Sequence, residues 1–145
     1  MKKFVNKRYA KGKEYKKIIS SIEQVGKCPF CPDNFRYHKK PILKREKKWL
    51  ITKNSWPYKN TKYHFVIIGK KHTVNFNELS KNDFNSVKIL VNWALKKFNI
   101  KGGALSIRFG DTDHTGATVS HLHFHLISPK LDRAKKARTV YFPIG

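Results

Sequence analysis

The segment "SHLHFHLISP" (residues 120–129) decides how the chain is read. Three histidines, His121, His123 and His125, alternate with Leu122, Phe124 and Leu126 before Pro129. A period of two is the mark of a strand, whose successive side chains point to opposite faces. Residues 121–127 are therefore expected to form a strand with the apolar residues in the core and the histidines on the other face. At roughly 3.3 Å per residue, neighbouring histidines lie about 6.6 Å apart and the outer pair about 13 Å apart. A metal holds its ligands at about 2 Å, so one ion cannot take all three from a straight strand. The histidines must do different work.

One suitable task is attack on phosphorus. An imidazole with a pKa near 6.5 offers a neutral nitrogen at pH 7, about the right basicity for a nucleophile, and a histidine–phosphorus bond is labile to water. The preceding loop, "GDTDHTGATVS" (110–120), supplies what a phosphate needs. It has flexible Gly110 and Gly116, hydroxyls at Thr112, Thr115, Thr118 and Ser120, and free backbone N–H groups.

Outward from this segment, "ALSIRF" (104–109) alternates as a strand. The strongest helix spans 81–98, with Ser80 as N-cap, Asp83 as its capping-box partner, and Phe84, Val87, Leu90, Val91, Ala94 and Phe98 at helical spacing. "YHFVIIG" (63–69) is the most apolar β-branched run and is expected to be a central strand; "KWLITKN" (48–54) is a shorter one. "EYKKIISSIEQV" (14–25) predicts a short amphipathic helix, with Tyr15, Ile18, Ile19, Ile22 and Val25 near one face and Gly26 as its stop. "TVYFPI" (139–144) is expected as a final edge segment containing Pro143. The order is α+β: an antiparallel sheet packed with one long helix plus a short N-terminal helix.

The chain has 145 residues, 39% of them apolar, enough for one domain with one core. Residues 1–13 are expected to be a mobile basic arm and 14–145 a single domain. No apolar run reaches the length of a membrane span and the N-terminus lacks an apolar signal core, so a cytoplasmic protein without a membrane partner is expected. Thirty-two Lys and Arg against nine Asp and Glu give a net charge of +23. Such an excess attracts polyanions, whether nucleotide, nucleic acid or anionic surface. The two cysteines form "CPFC" (Cys28, Cys31), which in a cytosolic chain reads as a metal half-site or a redox pair.

The pattern of "HLHFHLI" (121–127) resembles the signature of the histidine-triad (HIT) family of nucleotide hydrolases and transferases. "NSWPY" (54–58), "HFVIIGKKH" (64–72) and "GATVSHLHFHLI" (116–127) resemble further family segments in the same order, over roughly residues 28–130. The resemblance implies a HIT-like α+β fold, often a homodimer, and an enzyme acting on nucleoside phosphoramidates, nucleotidyl conjugates or dinucleoside polyphosphates. It implies that His123 attacks the α-phosphorus to form a nucleotidyl-histidine intermediate. His125 would contact the phosphate or bridging oxygen, and His121 would sit behind. Gly116 and Thr118 match the family's phosphate contacts, and Asn54 stands where an Asp often binds ribose. Gly110 stands where the family often has Asn, Gly69 replaces a common Pro, and Lys130 stands where Arg often follows the triad.

Zinc-containing relatives imply a structural zinc held by Cys28, Cys31, His72 and His121, with His38, His64 and His114 as rival ligands. The high charge motivates a narrower substrate, 5′-adenylated nucleic acid ends. A reading from a different class is a basic zinc module that binds nucleic acid without catalysis. That reading leaves the alternation at 121–125 without a purpose.

Overall fold

The computed structural model describes residues 3–145; the first two residues of the expected basic arm lie outside it. Five strands form one antiparallel sheet: β1 (Ile42–Glu46), β2 (Trp49–Lys53), β3 (Thr61–Gly69), β4 (Ala104–Ile107) and β5 (His123–Pro129), in the order β1-β2-β3-β5-β4. Helix α1 (Lys13–Val25) and helix α2 (Lys81–Lys97) lie either side of the first three strands in sequence, and a single helical turn, α3 (Thr112–Thr115), interrupts the loop before β5.

The central pair is fixed by burial. Residues 64–69 of β3 and 124–128 of β5 are buried on both faces, so each strand's centre reads as an apolar run interrupted by histidine. One face carries Trp49, Ile51, Phe65, Ile67, Phe124 and Leu126, packed against Val87, Leu90 and Ala94 of α2. The capping box expected at the start of this helix is present: Ser80 accepts from the Asp83 N–H, and the Asp83 carboxylate accepts from the Ser80 N–H. The same carboxylate accepts from Trp49 Nε1 at 2.9 Å, so the helix start is tied to β2. The opposite face carries Leu50, Val66 and Ile68, which pack with Phe30, Phe35 and Ile42.

Several expectations need correction. The strand expected over 121–127 begins at His123; His121 and Leu122 precede it, because the chain bends there to send His121 towards the "CPFC" loop. Strand β1 carries no sequence signal, since "ILKRE" lacks clean alternation and is half-buried at the sheet edge. In α1, Ile19 and Ile22 are buried but Val25 is exposed. Residues 139–144 add no strand; they lie over the end of β4 and the histidine face.

Residues 3–12, within the expected basic arm, make contacts with the rest of the chain. Val5 and Ala10 are buried with Ile19, Ile22 and Val119. Val5 bridges Val119, and Asn6 donates to Thr112 and Asp113 at 3.2 Å each. The apolar side chains among the lysines outweigh the charge pattern, because burying them removes surface from water. Among the described residues, no helix is long and apolar enough to cross a membrane.

Candidate active site and metal centre

The β3–β5 register assembles the histidine face. His123 pairs with Ile68, His125 with Val66 and Ile127 with His64. In an antiparallel pair, directly opposed residues share a face. His64, His123 and His125 therefore point the same way, although 59 and 61 positions separate His64 from the other two in sequence. The rings of His123 and His125 are 4.9 Å apart and those of His64 and His125 are 5.1 Å apart.

Fixed backbone groups decide the tautomers. His123 Nδ1 lies 2.7 Å from the carbonyl oxygen of His121, which can only accept, so Nδ1 carries the proton. The Nε2 lone pair of His123 is then free, and the residue keeps part of its surface open to the adjoining cavity. The Tyr58 N–H donates to His64 Nδ1 at 3.1 Å, which places the His64 proton on Nε2; the Asn54 amide nitrogen, 3.1 Å from that Nε2, then finds no acceptor there. That proton is donated to His125 Nδ1 at 2.8 Å. With the protons ordered from the Tyr58 N–H in this way, His125 holds its own proton on Nε2. The chain of bonds ends with an N–H on the same face as the unprotonated nitrogen of His123.

Burial keeps these rings neutral. It pushes His64 and His123 down to about 4 and His125 well below its ordinary range. The Arg108 guanidinium lowers all three further, by disfavouring a second positive charge.

His123 and His125 line a cavity of about 720 Å³ together with Asn54, Gly116, Thr118 and Arg108. Its far wall is Ile18, Ile19 and Ile22 of α1, with Tyr15 stacked on Trp56 at 5.2 Å between centroids. Lys11 and Lys59 also line it, and no Asp or Glu does. An aromatic and aliphatic pocket next to a cationic one suits a flat base joined to an anion. Gly116 has φ +70°, and a Cβ there would sit 2.8 Å from the Gly145 carbonyl oxygen. The Thr118 hydroxyl lies 2.6 Å from the Tyr15 hydroxyl. The Asn54 side-chain oxygen accepts from the Trp56 N–H at 2.7 Å, and its nitrogen lies 3.1 Å from His64 Nε2. Gly110, by contrast, does not line the cavity.

Behind His123 the structure brings together Cys28, Cys31, His72 and His121, with one ligand atom from each lying within 4.8 Å of the others. Cys28 Sγ is 3.3 Å and Cys31 Sγ 3.8 Å from His121 Nδ1; His72 Nδ1 is 3.5 Å from Cys31 Sγ and 3.2 Å from His121 Nδ1. Tetrahedral zinc with bonds of about 2.0–2.3 Å requires ligand–ligand edges of about 3.3–3.8 Å. The four residues fit that ion. His121 Nε2 donates to the Gly69 carbonyl at 2.6 Å, which leaves Nδ1 as the ligand atom. Burial pushes the Cys28 thiol up to about 12, so a thiolate there requires a cation to hold it.

Of the rival ligands, His64 belongs to the histidine face, and His38 bonds the Thr52 hydroxyl at 2.7 Å. His114 lies on α3, outside the cluster of four. The sequence reading missed His64 and Arg108 as site residues. A signal existed for each: His64 is a lone polar residue opening a buried apolar run, and Arg108 alternates with Ile107 on the face that carries Ser106. Ser55 Oγ, also on the cavity wall, is the one buried side-chain polar atom without a partner among the described residues.

Residues 27–140 match the family model described as "Scavenger mRNA decapping enzyme C-term binding". No curated protein matches the sequence. Among solved structures, a histidine triad nucleotide-binding protein from Candida albicans is 23% identical with a TM-score of 0.60, over 82% of this chain and 85% of that one. A zinc-bound histidine triad family protein from Mycobacterium smegmatis is 19% identical with a TM-score of 0.57, over 81% and 84%. A HIT family hydrolase from Clostridium thermocellum is 26% identical with a TM-score of 0.54, over 73% and 92%.

Proposed function

Since this chain belongs to the histidine-triad (HIT) family, we propose that it is a hydrolase of nucleotidyl conjugates or dinucleoside polyphosphates, acting through a nucleotidyl-histidine intermediate on His123. The observation that carries this reading is the proton order along the histidine face. His123 presents a lone pair on Nε2 and His125 presents an N–H, side by side at one cavity wall. A nucleophile and an acid in those positions are what displacement at phosphorus requires.

In the first step His123 Nε2 forms a bond to the α-phosphorus as the bond to the leaving group breaks. The leaving atom takes the bond's electron pair and is met by the His125 N–H. In the second step water attacks the same phosphorus, the electron pair returns to His123 Nε2, and the water's proton restores the His125 N–H where the leaving group has taken it and otherwise departs to solvent. His64 does not lose its proton; it holds His125 in the required tautomer. The His121 carbonyl does the same for His123. Gly116 and Thr118 are the proposed phosphate contacts and Asn54 the proposed ribose contact, while the Tyr15–Trp56 stack and the α1 isoleucines receive the base.

Cys28, Cys31, His72 and His121 would hold a structural zinc. Its chemistry is to keep two thiolates and two imidazoles together, pinning the 28–31 loop to the residue whose carbonyl orients His123. The edge strand β4, with Leu105 exposed, is the proposed contact of a homodimer.

Incubation with adenylated and guanylated compounds, followed by intact mass, tests the reading. A nucleotidyl adduct on the wild type, and loss of turnover with retained fold in His123→Ala, are expected. Zinc-replete protein with neither turnover nor adduct across the panel refutes it. The +23 charge and the carboxylate-free cavity favour one narrower substrate, the 5′-adenylated nucleic acid end. Such a substrate must bind more weakly as salt rises, in proportion to the phosphates engaged.

A further inference from the structure

We propose that Arg108 binds the phosphate that departs from the α-phosphorus, so that the site favours nucleotides joined to their leaving group through a phosphoanhydride over those joined through a P–N bond. The inference rests on the hydrolase reading and names the substrate class within it.

The position comes from the sheet. Strands β4 and β5 are paired up to Ile107 and Phe124, with Ser106 opposite His125. Arg108 follows by one residue and shares the face of Ser106 and the histidines. Its guanidinium is held in one plane. Nε donates to the Pro143 carbonyl at 2.7 Å, Nη2 donates to the Tyr58 hydroxyl at 2.9 Å, and Cζ lies 4.0 Å from the centre of the Phe142 ring. Two of its five N–H groups are used in this way, so three remain.

Those remaining donors have a direction. Nη1 lies 3.5 Å from His125 Nε2. With the protons ordered from the Tyr58 N–H through His64 to His125, that Nε2 carries a proton, so both groups are donors and neither satisfies the other. They converge on the same space, and the group that satisfies both must carry several acceptor oxygens. Arg108 also has no carboxylate partner. Among the described residues the ion pairs are Lys7–Glu23 and Arg8–Asp113, and no acid lines the cavity. A half-buried, immobilised guanidinium without an anion is a ready phosphate receptor, because its planar fork matches two phosphate oxygens.

The chemistry separates the two substrate classes. When a phosphoanhydride is cleaved, the P–O bond to the bridging oxygen breaks and that oxygen leaves with the electron pair, as part of a phosphate. The new negative charge faces a fixed cation, which stabilises it most at the moment it develops. When a phosphoramidate is cleaved, the nitrogen leaves with the electron pair and takes a proton from His125, departing as a neutral amine. Arg108 then has no developing anion to stabilise.

The test compares wild type, Arg108→Gln and Arg108→Lys on diadenosine triphosphate and on adenosine 5′-phosphoramidate. Loss of one fixed donor to a developing oxyanion costs about 100-fold or more. Arg108→Gln is expected to lose about that much kcat/KM on the anhydride and less than about 10-fold on the amidate, with Arg108→Lys between. Equal losses on both substrates, or none on the anhydride, would overturn the proposal. Calorimetry with ADP and AMP supplies a readout that needs no turnover. Wild type is expected to bind ADP more tightly than AMP by about 10-fold or more, the effect of a charge-assisted bond, and Arg108→Gln is expected to remove the difference. An ADP advantage that persists in the variant overturns the role of Arg108. Wild type that turns over neither these two substrates nor any of the adenylated and guanylated panel, and forms no adduct, overturns the hydrolase reading, and the ADP/AMP ratio then decides Arg108 by itself.

Discussion

Substituting His64 in two different ways separates the halves of its role. Its ring accepts from the Tyr58 N–H through Nδ1 at 3.1 Å and donates to His125 through Nε2 at 2.8 Å. Asparagine places a polar group near the position of Nδ1, and glutamine reaches the position of Nε2. His64→Asn therefore retains the acceptor for Tyr58 and loses the donor to His125. His64→Gln retains that donor and loses the acceptor. The donor fixes the His125 tautomer that presents Nε2–H to the leaving group. One such buried bond is worth about 1–1.5 kcal/mol, or about 5- to 10-fold in rate. His64→Asn is expected to slow single-turnover cleavage of an adenylated substrate by about that factor, and His64→Gln by less than about 3-fold. The ¹⁵N shifts of His125 are expected to report protonated Nε2 in wild type and His64→Gln, and a tautomer mixture in His64→Asn. The reversed order of rates, with both variants folded, would refute the relay.

The same residue makes stability depend on pH. Burial holds His64 at about 4, against 6.5 in a solvated chain. Between those values the unfolded chain binds the proton and the folded chain does not, so stability rises with pH across the window and is lost on acidification, by up to about 3 kcal/mol for this residue. Urea titrations from pH 7 to 4.5 are expected to show a shallower acid loss in His64→Gln than in wild type. For the metal centre, Cys31→Ser is expected to lower bound zinc from one equivalent to near none. Chelation of the wild type is expected to lower Tm by about 10 °C or more, the shift for a loss of some 4 kcal/mol; an unchanged melting curve would argue against a structural ion. Finally, a Cβ at Gly103 would lie 2.2 Å from the Ile127 carbonyl oxygen on the catalytic strand. Gly103→Ala is expected to cost at least about 1–3 kcal/mol in chemical denaturation, because backbone must move to admit the methyl group.

Local pattern made much of the protein legible. Helix α2 announced itself through Ser80, Asp83 and a 3.6-residue apolar spacing: its N-cap follows from residues within one turn, and the spacing marks the face that the sheet buries. Strand β3 and the core-facing side of β5 were legible for the same reason, since β-branched runs and a period of two are local signals. Strand β1 gave no such signal, being a half-buried edge. In the N-terminal segment lysines dominate the composition while Val5 and Ala10 make the contacts, so its packing is not legible from charge pattern.

The sequence by itself determined that three histidines alternate on one segment, that they cannot share one metal, and that a thiol pair near residue 30 needs two further ligands. The identity of those ligands rested on resemblance. Only the tertiary structure decided that β5 starts at His123, leaving His121 free to turn towards Cys28 while its carbonyl orients the next histidine. It also decided that His64 and Arg108 join the site from β3 and from the residue after β4. Strand register across tens of residues is set by which apolar faces the whole sheet can bury, and no window of sequence contains that information. Proton positions depend on register in turn, because the backbone donors and acceptors that fix each tautomer belong to segments far away in the chain.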